Sequence, residues 1–202
     1  MANCAIAGAS GLVGSHLLTL LLREFDQVAA MTRRPLGVSA PNLREIAFGD
    51  PLPSIDAAFC CLGTTIKKAG SQEAFRKIDF DAVVAFAKAS RAAGARSFAI
   101  VSSVGASPAS SNFYLRVKGE TEAAVAALGF ERLAILRPSL LVGNRAESRP
   151  GEKIGIAFAS AAGFLLVGPL RKYRAVSAER VAAAMLKSGW AGGRILEYDE
   201  IA

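Results

Sequence analysis

Tyr114 and Lys118 lie four residues apart in Tyr114-Leu115-Arg116-Val117-Lys118, so on a helix they share one face. A tyrosine hydroxyl has a reference pKa of about 10 and is a poor base at neutral pH. A neighbouring ammonium favours the phenolate, and the tyrosine can then pass a proton to or from a substrate oxygen. Upstream, Ser102-Ser103 ends the apolar run Ser97-Phe98-Ala99-Ile100-Val101, and a serine hydroxyl there would hold the same oxygen in place. Proton transfer of this kind accompanies hydride transfer to or from a nicotinamide, whose ribose Lys118 would also reach. Tyrosine and lysine at this spacing are frequent by chance on amphipathic helices. Their weight comes from what opens the chain.

That opening is Gly8-Ala9-Ser10-Gly11-Leu12-Val13-Gly14, set between a strand-length apolar run, Cys4 to Ala7, and a helix-length one, Ser15 to Arg23. A glycine-rich strand-to-helix turn is the context of a dinucleotide-binding loop. Gly8 would turn the backbone as the strand ends, Gly11 would let it approach a pyrophosphate, and Gly14 would let the helix pack closely on the sheet. The free N–H groups at Leu12 and Val13, with the helix dipole, would hold phosphate charge, and Ser10 adds a hydroxyl donor. The spacing is Gly-x-x-Gly-x-x-Gly rather than Gly-x-Gly-x-x-Gly, and a glycine-rich turn without a ligand is the plainer reading of the triplet alone.

The second strand, Gln27 to Thr32, carries a sharper signal. An NAD site would end it in a carboxylate for the ribose hydroxyls. Here it ends in Thr32-Arg33-Arg34-Pro35, two guanidinium groups where an adenosine 2′-phosphate would sit. A charge-assisted contact is worth about 1.5–3 kcal/mol, which predicts NADP over NAD by roughly tenfold to over a hundredfold. A third strand over 43–48 leads to Asp50, placed either to approach an adenine edge or to cap the turn before Pro51. A fourth, Ala57 to Leu62, is wholly apolar as in a buried parallel sheet, and its end, Cys61-Leu62-Gly63-Thr64-Thr65, faces the ligand crevice.

The remaining elements follow in order. Residues 71–93 read as one long helix or two, with Asp79 near the end that could face the cofactor, and residues 97–101 as strand five. Residues 112–128 form the helix of Tyr114 and Lys118, and 132–136 strand six, ending in Arg137-Pro138-Ser139. Residues 140–143 continue extended, 150–170 give no clear pattern, 176–187 read as a helix and 194–198 as a last strand. Alternating strands and helices predict an α/β fold: a Rossmann-type, doubly wound parallel sheet in three αβα layers. The expectation is a single domain over 1–202, with about 138–202 forming a small substrate-side extension.

Composition bounds the rest. The chain has 202 residues, 52% hydrophobic, with a net charge of +7. Eight Lys/Arg against two Glu between Arg132 and Arg174 suit an anionic small-molecule substrate. Without an arginine run or interleaved aromatics, a nucleic-acid partner is not expected. No apolar run is long enough to span a membrane; Ile154 to Leu166 reads as core or pocket lining. Cys4, Cys60 and Cys61 make neither a disulfide framework nor a zinc site, and with no signal-peptide pattern the expected location is cytoplasmic. His16, the only histidine, reads as a packing or surface residue, and no metal is expected. A monomer or homodimer is expected.

Taken together, Gly8, Gly11 and Gly14, Thr32-Arg33-Arg34, Ser102-Ser103, Tyr114-x-x-x-Lys118 and Arg137-Pro138-Ser139 resemble a short-chain dehydrogenase/reductase of the extended or atypical kind. Within that superfamily, Cys61 to Thr65 and Tyr114 to Glu122 are most similar to the Tat-interacting-protein-like oxidoreductases, also described as nucleoside-diphosphate-sugar-epimerase-like. The resemblance implies a catalytic serine, tyrosine and lysine, which map to Ser103 (Ser102 being the close rival), Tyr114 and Lys118. It also implies that Pro138 and Ser139 lie by the nicotinamide. The 11-residue step from Ser103 to Tyr114 is shorter than in extended members. The stretch after Arg137 leaves little room for a sugar-nucleotide domain, so reduction of a small carbonyl compound is expected ahead of epimerisation. A reading from a different class is a dinucleotide sensor that binds protein partners.

Overall fold

Short apolar runs rich in alanine, valine and isoleucine make the strands, because a parallel sheet covered on both faces needs no polar alternation. In the computed structural model, which describes residues 2–142, 168–191 and 194–201, these runs form β1 (Asn3–Ala7), β2 (Gln27–Thr32), β3 (Leu43–Ala47), β4 (Ala57–Cys60), β5 (Ser97–Val101) and β6 (Arg132–Leu136). With β9 (Arg194–Leu196) they build a seven-stranded, wholly parallel sheet in the order β3-β2-β1-β4-β5-β6-β9. The order reverses at β1, between β2 and β4. This is the Rossmann-like doubly wound arrangement, and the reversal opens a crevice at the carboxyl ends of the strands.

Helices cover both faces. On one lie α1 (Leu12–Glu24) and α6 (Ala178–Ala191), whose Leu17, Leu21, Val181 and Met185 pack with Ile6, Phe59 and Leu136. On the other lie α4 (Val83–Ala92) and α5 (Phe113–Ala126), with Phe86 and Val125 against Phe98 and Ile100. Two shorter helices, α2 (Ile66–Ala69) and α3 (Gln72–Arg76), follow β4. A separate two-stranded parallel sheet pairs β7 (Leu141–Val142) with β8 (Val176–Ser177), and α7 (Tyr198–Ile201) ends the described chain. Among the described residues no helix is long and apolar enough to cross a membrane.

Differences from the sequence reading are local. The stretch 71–93 holds two α-helices, α3 and α4, joined without a break by a π-helical segment, Lys77–Ala82, that the sequence did not indicate. The chain after β4 turns into α2, capped by the Thr65 side chain accepting from Lys68 N–H. The expected helix at 176 starts two residues later, because Val176–Ser177 pairs with β7. The segment Ile154 to Leu166, most of 150–170, and Arg145, Arg149 and Lys153 of the basic stretch lie outside the described residues.

Candidate active site

Register gathers the predicted site. Ala7 pairs with Met31 and Cys60, Cys60 with Ile100, and Val101 with Leu136, so Gly8, Thr32, Cys61, Ser102 and Arg137 each leave the same edge of the sheet. Backbone bonds extend this one step: Cys61 N–H donates to Ala7 O, Ser102 N–H to Leu136 O and Arg137 N–H to Leu196 O.

A cavity of about 720 Å³ opens there. Its wall takes Ser10, Gly11, Leu12 and Val13 from the first turn, and Cys61, Leu62, Gly63 and Thr64 from the turn after β4. Ser102, Tyr114 and Lys118 also line it. Gly8 and Gly14 shape the turn from behind. Gly8 has φ +84, and a Cβ there would lie 2.6 Å from the Cys61 backbone, while a Cβ on Gly14 would lie 2.0 Å from Gly8 O. Thr65, in the turn that the sequence placed at the crevice, lines the wall too, as do Ser15, Lys68, Val101 and Leu141, which the sequence did not assign to the site. These residues flank the motifs.

Other expected residues stand away from this wall. Thr32 donates its hydroxyl to Arg34 O at 2.6 Å, closing a turn that leaves Arg33 and Arg34 exposed beyond β2. Asp50 is exposed after β3. Ser103 lies beside the wall, its Oγ 3.4 Å from Val104 O. Pro138 O accepts from Val104 N–H, tying the turns after β5 and β6 together, and the Ser139 hydroxyl donates to Arg174 O. Of the basic stretch, Arg132 donates to Ser97 Oγ and Arg171 pairs with Asp199, so part of that charge is internally engaged. His16 Nδ1 lies 3.9 Å from Glu179 on α6, a half-exposed helix-to-helix contact.

Tyr114 and Lys118 sit in the first turns of α5, where the Asn112 side chain caps the helix by accepting from Leu115 N–H. The Tyr114 ring packs on buried Phe75 of α3, centroids 5.4 Å apart. Lys118 is nearly buried, and its Nζ lies 2.7 Å from Asp79 Oδ1. Asp79 therefore does not face the cofactor crevice as its helix position suggested: it is fully buried, and its other oxygen accepts from Thr64 N–H at 2.9 Å. Burial pushes the Asp79 carboxyl above the usual carboxylate value, with Lys118 and the Thr64 N–H opposing. Burial works against the Lys118 ammonium, but Asp79, helped by Tyr114, outweighs it and holds the lysine above its ordinary value.

A second buried carboxylate serves the serine. Glu122, one turn beyond Lys118, accepts the Ser102 hydroxyl and takes the Arg137 guanidinium through Nε at 3.0 Å and Nη2. That interaction holds Arg137 above its ordinary value. Glu122 and Arg137 were not assigned roles from the sequence. The signal available was a glutamate four residues past Lys118, on the face that helical spacing gives the lysine.

An NAD dependent epimerase/dehydratase family model matches residues 4–102. The protein named fmp52, mitochondrial, of Emericella nidulans is 40% identical over 181 residues, covering 81% of this chain and 77% of the relative. The chain belongs to the NAD dependent epimerase/dehydratase family. Protein HTATIP2 of Rattus norvegicus, another relative, is 38% identical over 166 residues, covering 76% of this chain and 68% of that one. This agrees with the Tat-interacting-protein-like resemblance in the motifs. Among solved structures, MoeE5 in complex with UDP-glucose and NAD matches with TM-score 0.70 at 19% identity, covering 98% of this chain and 79% of that one. Human epimerase family protein SDR39U1 with NADPH matches with TM-score 0.68 at 18% identity, covering 96% and 72%. These likenesses agree with the Rossmann-type fold. The matched family is described as NAD dependent, which supports a dinucleotide cofactor at the level of the family.

The cytoplasmic expectation is corrected: the Emericella relative and further fungal relatives are named as mitochondrial, which points away from the cytoplasm. Free cysteines argue only against an oxidising compartment and could not separate the two.

Proposed function

We propose that this chain is an NADP-dependent oxidoreductase acting on a small carbonyl or alcohol substrate, with Tyr114 as acid/base. The observation that carries this reading is one cavity whose wall holds both the phosphate-type turn, Ser10 to Val13, and the Tyr114/Lys118 pair. A bound nicotinamide would supply or take the hydride. The first-turn N–H groups of α1 would hold its pyrophosphate. Arg33 and Arg34, exposed beyond β2 next to that turn, would hold a 2′-phosphate. Tyr114 exchanges a proton with the substrate oxygen, and the Lys118 charge favours its ionised form. Of the two serines, position on the wall favours Ser102. Its proton is engaged by Glu122, so its oxygen would accept from the hydroxyl of an alcohol substrate. The substrate class is a small molecule, anionic if the basic C-terminal part contributes, bound by a monomer or homodimer.

A nucleotide-sugar epimerase-like activity is the second reading, favoured by the solved neighbour that holds UDP-glucose with NAD. The test is a fluorescence titration with NADPH and NADH, followed by NADPH oxidation over a panel of small carbonyl compounds by the wild type and Tyr114→Phe. NADPH should bind at least about tenfold more tightly, as one charge-assisted phosphate contact requires. Tyr114→Phe should keep that affinity and lose turnover. Equal affinities would reduce Arg33 and Arg34 to surface charge, and unchanged turnover would remove Tyr114 from the chemistry. Tight binding with no turnover on any compound would place the dinucleotide sensor first.

A further inference from the structure

The oxidoreductase reading uses Lys118 but gives no task to the carboxylate beneath it. We propose that Asp79 is the positioning residue of this site, pinning the Lys118 ammonium against the Gly63-Thr64 turn and keeping it charged. The inference rests on the function proposed above for its consequence, though not for its geometry.

Three observations carry it. First, both partners are out of water: Asp79 is 0% exposed and the Lys118 side chain 8%. An ammonium so placed sheds its proton unless an anion faces it. The groups that influence Lys118 are Tyr114 from its own helix, Cys60 from β4 and Asp79 from the π-helical segment. The other carboxylates along α5 are engaged elsewhere, Glu120 with Arg76 and Glu122 with Arg137 and Ser102. Lys68 at the cavity wall adds like charge. Among the described residues Asp79 is therefore the anion that matches Lys118.

Second, Asp79 is itself fixed from two sides. One carboxylate oxygen takes Thr64 N–H, and the Asp79 carbonyl lies 2.9 Å from the Thr121 hydroxyl of α5. The residue sits in the Lys77–Ala82 segment, a π turn of the kind that recurs at functional sites. Third, the pair touches the turn where a cofactor would lie. A Cβ on Gly63 would come 3.4 Å from Asp79 Oδ1 and 3.6 Å from Lys118 Nζ. The turn after β4, the π turn and α5 thus meet at this ion pair, and a displacement of any one moves the ammonium.

Asp79→Asn keeps the shape and an acceptor for Thr64 N–H while removing the charge. The measurement is competitive acetylation of the full chain with acetic anhydride across the alkaline range, Lys118 being followed by mass spectrometry of its peptide. In the wild type the Lys118 midpoint should lie above the ordinary lysine value of about 10.4. In Asp79→Asn it should fall below that value, making the amine at least about tenfold more reactive near neutral pH. Turnover and NADPH affinity of the variant should then persist on the acid side and disappear as pH rises through the lowered midpoint, since the charged lysine is lost there. A purely structural Asp79 would lower the melting temperature and leave the midpoint in place, and that outcome overturns the proposal. If Asp79→Asn does not fold, a wild-type midpoint below the ordinary value overturns it by itself. Because acetylation needs neither cofactor nor substrate, an unchanged midpoint counts against Asp79 alone. Absent turnover with a shifted midpoint counts against the oxidoreductase reading alone.

Discussion

Glu122 concentrates more of the site on one side chain than any residue named from the sequence. It holds the Ser102 hydroxyl and both prongs of Arg137, and Arg137 in turn leaves β6 through a backbone bond to Leu196 O. Glu122 is nearly buried and Arg137 about one-fifth exposed, so removing the carboxylate charge strands a guanidinium that water reaches in part. Glu122→Gln should therefore cost about 1–3 kcal/mol, the range for leaving a charged partner poorly matched. Ser102→Ala removes one hydrogen bond and should cost about 1 kcal/mol or less. Urea unfolding of the two variants separates these effects. Equal stability of Glu122→Gln and wild type would mean that the Arg137 contact is a loose surface pair, and the fixed orientation of Ser102 would lose its support.

Between elements, the tightest approach is α1 on the end of β1. A Cβ at Gly14 would lie 2.0 Å from Gly8 O and 2.8 Å from Gly8 C, both backbone atoms that no rotamer change can move. Alanine gains about 1 kcal/mol in helix propensity over glycine, but overpacking of this severity costs about 1–3 kcal/mol or more. The steric term wins, because the helix must lift from the strand. Gly14→Ala should lower the melting temperature by several degrees, at about 2–4 °C per kcal/mol for a chain of this size. It should also weaken NADPH binding by moving the N–H groups of Leu12 and Val13. A variant that melts and binds like the wild type would mean the helix can slide without consequence. This contact was legible in the sequence because the glycine spacing states it directly. The bounds of β2, β5 and β6 were equally legible, since each is an apolar run between turn residues. The π segment was not, because Lys77 to Ala82 has ordinary helical composition and its register is set by tertiary contacts of Asp79 and Thr121. The roles of Glu122 and Arg137 were hidden for a similar reason. Nothing local shows that a serine after β5 and an arginine after β6 share a glutamate on α5.

At the scale of the molecule, all three thiols lie in or beside the middle of the sheet, Cys4 in β1, Cys60 in β4 and Cys61 at its end. Burial raises each of them; Cys60 is pushed from 9.0 to about 12, and Cys61 also meets Met185 across the α6 interface. An acid whose folded pKa is raised keeps its proton in the native state after the unfolded chain has lost it. Stability then falls as pH rises above the unfolded value. Each thiol contributes a slope of up to about 1.4 kcal/mol per pH unit, so three give about 4 kcal/mol per unit. A typical domain has about 5–15 kcal/mol in all. Lys118 acts in the same direction: its raised value gives stability present below the ordinary lysine pKa and lost as pH rises through the folded one. On the alkaline side the native state should therefore begin to lose stability as pH rises above about 8.5, the free thiol value. Urea midpoints measured from about pH 8 to 11 check this, a window set by the free thiol and lysine values. Cys4→Ala should remove about one third of the thiol slope, since its position in β1 is independent of the cavity. A flat profile across that range would show that the thiols ionise in place, and that the sheet centre admits charge far more readily than its burial implies.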